Sequence, residues 1–169
     1  CNKIWNATRF ALMNCEGQQI GNQHAQTLAA DFIRAKLNDA ITNAHKYFNN
    51  YRFDLLAQNL YETIWNEFCD WYLELAKTDL AGSDAPNTRY TLLSCLDTIL
   101  RLLHPLMPFI TEELWQPVAK LLKIETKSLD FASYPTATTK IEQLSEFKNI
   151  QDLITQIRTR KSECNIAPG

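Results

Sequence analysis

This 169-residue sequence predicts an all-α fold, an antiparallel bundle of helices. Three observations carry that expectation. Helix breakers are scarce, with 4 Gly and 6 Pro in the whole chain. Apolar residues make up 46% of the sequence while mean hydropathy stays negative, a profile that suits a soluble helical bundle. And Tyr51–Lys77 runs without Gly or Pro, with apolar residues at Phe53, Leu56, Leu60, Ile64, Phe68, Trp71 or Tyr72, and Leu75. That is the three-to-four spacing of one helical face. At about 1.5 Å per residue this run is a central strut of roughly 40 Å, and the aromatics of its second half (Trp65, Phe68, Trp71, Tyr72) are candidate core.

The other elements follow in order. NKIWNATRFALMNC (Asn2–Cys15) is a first helix with two unlike faces. Ile4, Thr8, Ala11, Leu12 and Cys15 form a core stripe, whereas Lys3, Asn6, Arg9 and Phe10 fall on the opposite side. That second face has two readings. It is a solvated surface with Phe10 tucked under a neighbour, or a platform for single-stranded nucleic acid, with a ring for stacking and cationic and amide groups for phosphates and base edges. EGQQIGNQ reads as a loop, and a second helix runs from about His24 to Phe48 until the NNYR turn. After the strut, Thr78–Thr88 has the composition of a loop, and a fourth helix carries Leu92, Leu93, Leu96, Ile99, Leu100 and Leu103. Pro105 and Pro108 break it. Pro108 suits the first turn of the next helix, which places Glu112 and Glu113 near its positive end, and Pro117 makes that helix irregular or marks its true start. Ile124–Thr139 reads as an extended linker, and Thr139 with Glu142 has the spacing of a capping box that opens a last helix. Its basic end, Arg158, Arg160 and Lys161, either complements the helix dipole or touches nucleic acid, and IAPG stops it. The expected division is a bundle over 1–123, a linker packed on it over 124–139, and the last helix over 140–169.

Several classes of chemistry find no support. Cys1, Cys15, Cys69, Cys95 and Cys164 form no CxxC pair, and His24, His45 and His104 stand alone, so reduced, mostly buried thiols in a cytoplasmic protein are expected and a metal site is not. No run is apolar enough to span a membrane, so no membrane partner is expected. The net charge of −2 opposes a wholly basic nucleic-acid protein but leaves room for a local basic face. There is no phosphate-cradling Gly loop, GxSxG, HExxH or strand–helix alternation, so the chain is not expected to be an enzyme by itself. A start at Cys1 without Met suggests a piece of something longer.

NKIWNATRF, FCDWYLELAK, HPLMPFITEELW and IRTRKSECNIAPG together resemble class I aminoacyl-tRNA synthetases, most closely the bacterial-type valine enzymes. The resemblance covers nearly the whole chain. The HPLMPFITEELW segment alone is shared with leucine enzymes, while NKIWNATRF with FCDWYLE separates the valine from the isoleucine type. It implies an α-helical anticodon-binding domain, placed after catalytic and editing domains and before a C-terminal coiled coil. It implies that Lys3, Asn6, Arg9 and Phe10 face the anticodon loop, with Phe10 stacking on a base; the basic end of the last helix, Arg158, Arg160 and Lys161, adds candidate tRNA contacts on the strength of its charge alone. The partner implied is a valine tRNA, bound by a monomer. ATP and magnesium belong to the full-length enzyme and to no residue here. The rival reading is a helical protein-interaction module that presents Glu62, Glu67, Asp70 and Glu74 of the strut, or the equivalent domain of an isoleucine or leucine enzyme.

Overall fold

A computed structural model describes residues 2–138 and 145–164. Among them all regular structure is helical, and the order of elements follows from where the apolar stripes and caps lie. Helix α1 (Asn2–Cys15) buries Ile4, Ala7, Thr8, Ala11 and Cys15. The Thr8 hydroxyl donates to the Ile4 carbonyl at 2.9 Å, so its burial leaves no polar atom unpaired. Helix α2 (Leu28–Asn49) starts four residues after the expected His24, because Thr27 supplies the cap: its Oγ1 accepts the Ala30 N–H at 3.2 Å and donates to Asp79 at 2.9 Å. Tyr51, at φ 55°, turns the chain into α3.

The strut is continuous, but it is not one α-helix. Helix α3 (Phe53–Glu62) passes into a π-wound segment over Thr63–Tyr72 and then into α4 (Leu73–Leu80), and the Leu73 N–H bonds the Phe68 carbonyl five residues back. The cause lies in the apolar spacing. Leu56, Leu60, Ile64, Phe68 and Tyr72 are all buried and recur at every fourth residue. At 3.6 residues per turn an ideal α-helix would carry Tyr72 about 160° round from Leu56, whereas the wider i→i+5 winding keeps these side chains on one face. Trp71, which the alternating choice of Trp71 or Tyr72 left open, is only half-buried, and Tyr72 is the core residue.

Nor is the strut the centre of the bundle. That place belongs to α5 (Ala85–Leu103), which packs on α1, α2, α4 and α6 and buries Leu92, Leu93, Leu96, Ile99, Leu100, Leu102 and Leu103. A helix apolar on most of its circumference belongs inside. The loop before it is shorter than expected, since α4 runs to Leu80 and α5 begins at Ala85 with Pro86 in its first turn. Helix α6 (Pro108–Leu122) runs through Pro117 and stops at Lys123, which is left-handed at φ 57°. Its Trp115 is fully buried and donates Nε1–H to Asp97 of α5 at 2.7 Å.

The linker packs on the bundle through named polar contacts. Glu112 accepts from the Leu129 N–H at 2.8 Å and from Ser128 Oγ at 3.1 Å, which gives this carboxylate a structural task. His45 Nε2 donates to the Pro135 carbonyl at 2.7 Å, and Asn38 Oδ1 accepts from the Thr138 N–H at 2.8 Å. A 3-10 turn at Leu129–Phe131 sinks Leu129 into the core. Helix α7 (Ser145–Glu163) is held by Phe147, which stacks on Phe32 with ring centres 3.9 Å apart, and by Gln151, which donates to Glu67 at 3.3 Å. The Thr139–Glu142 capping box, Cys1 and the IAPG end lie outside the described residues.

The thiols of Cys15, Cys69 and Cys95 are free and buried, and burial pushes them up to about 12, 11 and 12. His24 precedes α2, its ring 5.2 Å from that of Tyr90, and its buried Nδ1 has no hydrogen-bond partner. Burial first, and then the Arg34 charge, hold its pKa below the ordinary histidine value, against the opposing pull of Asp31.

Phe68→Ala and Trp115→Ala should each cost roughly 3 to 5 kcal/mol in denaturant unfolding, the range for truncating a buried aromatic, and half-buried Trp71→Ala should cost less. Because the folded pKa of His24 is depressed, the unfolded chain binds the extra proton; stability should be full above about pH 6.5 and fall as pH drops through the folded value. Urea midpoints at pH 7.5 and 5.5 should differ less in His24→Gln than in the parent.

Candidate nucleic-acid interface

The outer face of α1 is a single stripe. Asn2, Trp5, Asn6, Arg9 and Met13 are all exposed, at successive spacings of three, one, three and four. Arg9 makes no hydrogen bond or ion pair with another described residue, so its planar fork of donors is free for a carboxylate, a phosphate or a base edge. Asn6, three residues before it, is likewise unpaired and offers both an amide donor and an acceptor.

Lys3 and Phe10, grouped with these two by the sequence, are placed differently. Both sit on the flank that meets the π segment and α4. Lys3 Nζ lies 2.7 Å from Asp70 Oδ1, donates to the Trp65 carbonyl at 3.2 Å and stands 4.6 Å from the centre of the Trp65 ring. That ring stacks on Tyr61 at 4.9 Å. The lysine therefore fastens α1 to the strut, and its charge is shared with a carboxylate. Phe10 is half-buried, and the exposed Lys77 of α4 holds its ammonium 6.0 Å from the ring centre. Lys77 in turn bonds both oxygens of Glu74, at 2.7 and 2.8 Å.

Trp5 was missed. It stands one helical turn before Arg9 with 48% of its surface exposed, an indole beside the two free polar groups. The signal was available, since residues four apart on a helix differ by only about 40° in direction; the residue type, usually a core aromatic, hid it. Of the basic end of α7, Arg160 is exposed and 3.3 Å from Glu163, while the side chains of Arg158 and Lys161 lie outside the described residues. Helix α7 docks on α2 and the π segment, and α1 packs chiefly on the π segment, α5 and α6.

The acidic row of the strut is internally satisfied. Glu67 pairs with Lys36 at 3.2 Å, Asp70 with Lys3 and Glu74 with Lys77, and Glu62 accepts from Gln58 at 2.9 Å. Three of its four charges are thus paired with lysines of the domain, and the fourth is bonded to a neutral amide. Among the described residues no group of three His, Cys, Asp or Glu side chains could hold a metal ion, and no helix is long and apolar enough to cross a membrane.

Comparison with known proteins decides among these chemistries. The family described as the anticodon-binding domain of tRNA ligase matches residues 31–169. The chain belongs to that family. This anticodon-binding domain is 46% identical to the valine–tRNA ligase of Xanthomonas euvesicatoria pv. vesicatoria (strain 85-10) over 184 aligned residues, covering all of the chain and 18% of that protein. It is 47% identical to the valine–tRNA ligase of Stenotrophomonas maltophilia (strain K279a) and 48% identical to that of Xanthomonas campestris pv. campestris (strain 8004), again over the whole chain and over 19% of each relative. The domain thus spans less than a fifth of the length of these relatives. The family match opens within α2, whereas the alignments with the valine–tRNA ligases take in α1 and its exposed stripe.

A double-mutant cycle of Lys3→Ala and Asp70→Ala should show a coupling of about 0.5 to 1 kcal/mol, the range for a partly exposed ion pair. Additive losses would mean that the pair fastens nothing.

Proposed function

We propose that this anticodon-binding domain reads the anticodon loop of a valine tRNA as part of a valine–tRNA ligase. The observation that carries the reading is the exposed stripe of α1, where Asn6 and Arg9 stand free beside the rings of Trp5 and Phe10. Single-stranded loops are recognised by stacking splayed bases on aromatic rings and hydrogen-bonding their edges, and these four residues supply both functions within two helical turns. On this reading Arg9 and Asn6 address base edges or phosphates and Phe10 offers a stacking face, while Lys3 keeps α1 at the height at which they work. Arg158, Arg160 and Lys161 add phosphate contacts farther along the RNA. The identities near one half with valine–tRNA ligases over the whole chain support the choice of tRNA.

The recognition is remote from the chemistry. In such a ligase, activation of valine with ATP and magnesium takes place in parts of the polypeptide beyond this domain, and no residue here is assigned to them. The division into a bundle over 1–123, a linker over 124–139 and a last helix over 140–169 that leads towards a coiled coil belongs to the same reading, as do a cytoplasmic location and a monomeric state.

The test is titration of the protein with a stem-loop that carries the valine anticodon and with one altered at the central and third anticodon bases, at two salt concentrations. Tighter, salt-sensitive binding to the valine loop is expected. Arg9→Ala and Phe10→Ala should each weaken it by about 1 to 3 kcal/mol, the first with an unchanged melting temperature and the second with a modest drop, because the Phe10 ring packs in part against the core. Equal binding of both loops, or unchanged affinity in both variants, would overturn the assignment.

A further inference from the structure

The cation that stands over the candidate stacking ring is not on α1 at all. Lys77 projects from α4, and its ammonium lies 6.0 Å from the centre of the Phe10 ring, at the outer limit of a cation–π contact. It is kept there by Glu74, one turn earlier on the same helix, through bonds of 2.7 and 2.8 Å to the two carboxylate oxygens. Both side chains are more than half exposed, at 52% and 61%. An ion pair so exposed is held weakly, because water screens it and each long side chain gains rotamer freedom when it opens. The cover on Phe10 is therefore easily displaced.

We propose that Lys77 is a phosphate-binding residue of the RNA face, released from Glu74 when a base takes its place on Phe10. This rests on the reading of α1 as the anticodon-loop face. A base that stacks on Phe10 displaces the ammonium from above the ring. Its own phosphate lies within one nucleotide of that ring, where a four-carbon stem anchored on α4 can follow. Glu74 is then the competitor: its carboxylate is exchanged for a phosphate oxygen, and any negative charge left beside the RNA opposes binding. Of the other cations near this face, Lys3 is committed to Asp70 and the Trp65 carbonyl and Lys36 to Glu67, while Arg9 is free but stands on the outer stripe of α1 rather than over the ring. Helix α4 thereby becomes a second wall of the site, and the pair Lys77–Glu74 sets how readily the ring is uncovered.

The two residues predict effects of opposite sign, measured as stem-loop affinity across a salt series with Arg9→Ala as the control. Lys77→Gln should weaken binding several-fold at low salt and make the dependence of log affinity on log salt shallower by about 0.7 to 0.9, the loss of one neutralised phosphate. Lys77→Arg should restore both. Glu74→Gln should tighten binding about two- to five-fold, as expected for removing one charge about 7 Å away in a watery medium. A lysine that merely covers Phe10 would alter stability and leave the salt slope unchanged. If Arg9→Ala weakens binding while Lys77→Gln keeps the parent's slope, the role of Lys77 is overturned and the α1 reading stands. If neither variant changes binding, both fall.

Discussion

Helix α5 must be surrounded, and the bundle is the way this chain does it. Leu92, Leu93, Leu96, Ile99, Leu100, Leu102 and Leu103 point in so many directions that no single neighbour could cover them. Four helices close round it, α1, α2, α4 and α6, and each supplies only a stripe. The hydrophobic term that drives this is non-directional, so direction comes from the few polar groups at the rim. Trp115 reaches Asp97, Thr27 joins α2 to Asp79, and Ala25 N–H finds Thr91 Oγ1 at 2.9 Å. They fix which helix lies where while the apolar side chains provide the stabilisation.

The same economy governs charge. Nearly every acid on the strut is answered by a basic or amide group from another turn or another helix, which leaves α1 with a free guanidinium in a chain of net charge −2. A domain with this composition cannot rely on a broad positive field to find RNA. On the proposed reading it depends instead on a few uncommitted groups in a defined place, which favours selectivity over indiscriminate affinity.

The fold class was legible from the scarcity of Gly and Pro and from helical spacing, and so were the elements with strong stripes: α1, the second half of α2, α5 and the Pro108 start of α6. What escaped has physical causes. The start of α2 depends on Thr27 reaching both Ala30 and Asp79, the second of which is distant in sequence. The π winding shows in the sequence only as a strict four-residue spacing, which also passes for an α-helical stripe. The central place of α5 escaped because strut and α5 are both rich in apolar residues, and only packing shows which is enclosed. In the candidate site, Asn6 and Arg9 were legible as outward polar residues. Lys3 was not, because its commitment to Asp70 crosses from α1 to the strut, and Trp5 was not, because an exposed indole runs against its type.

Among the described residues, helix α7 buries much less than the other helices. Phe147 is buried against Phe32, yet farther along Ile150, Leu153 and Ile157 keep 42%, 57% and 49% of their surface in contact with solvent. Among the described residues, α7 is held by the Phe147–Phe32 stack, the edge contact of Phe147 with Trp71 and the Gln151–Glu67 hydrogen bond, so the free energy needed to lift it should lie well below that of the enclosed α5. Two tiers of cooperativity are the expected result: amides of α7 should exchange with solvent through a local opening, and those of α5 only when the whole domain unfolds.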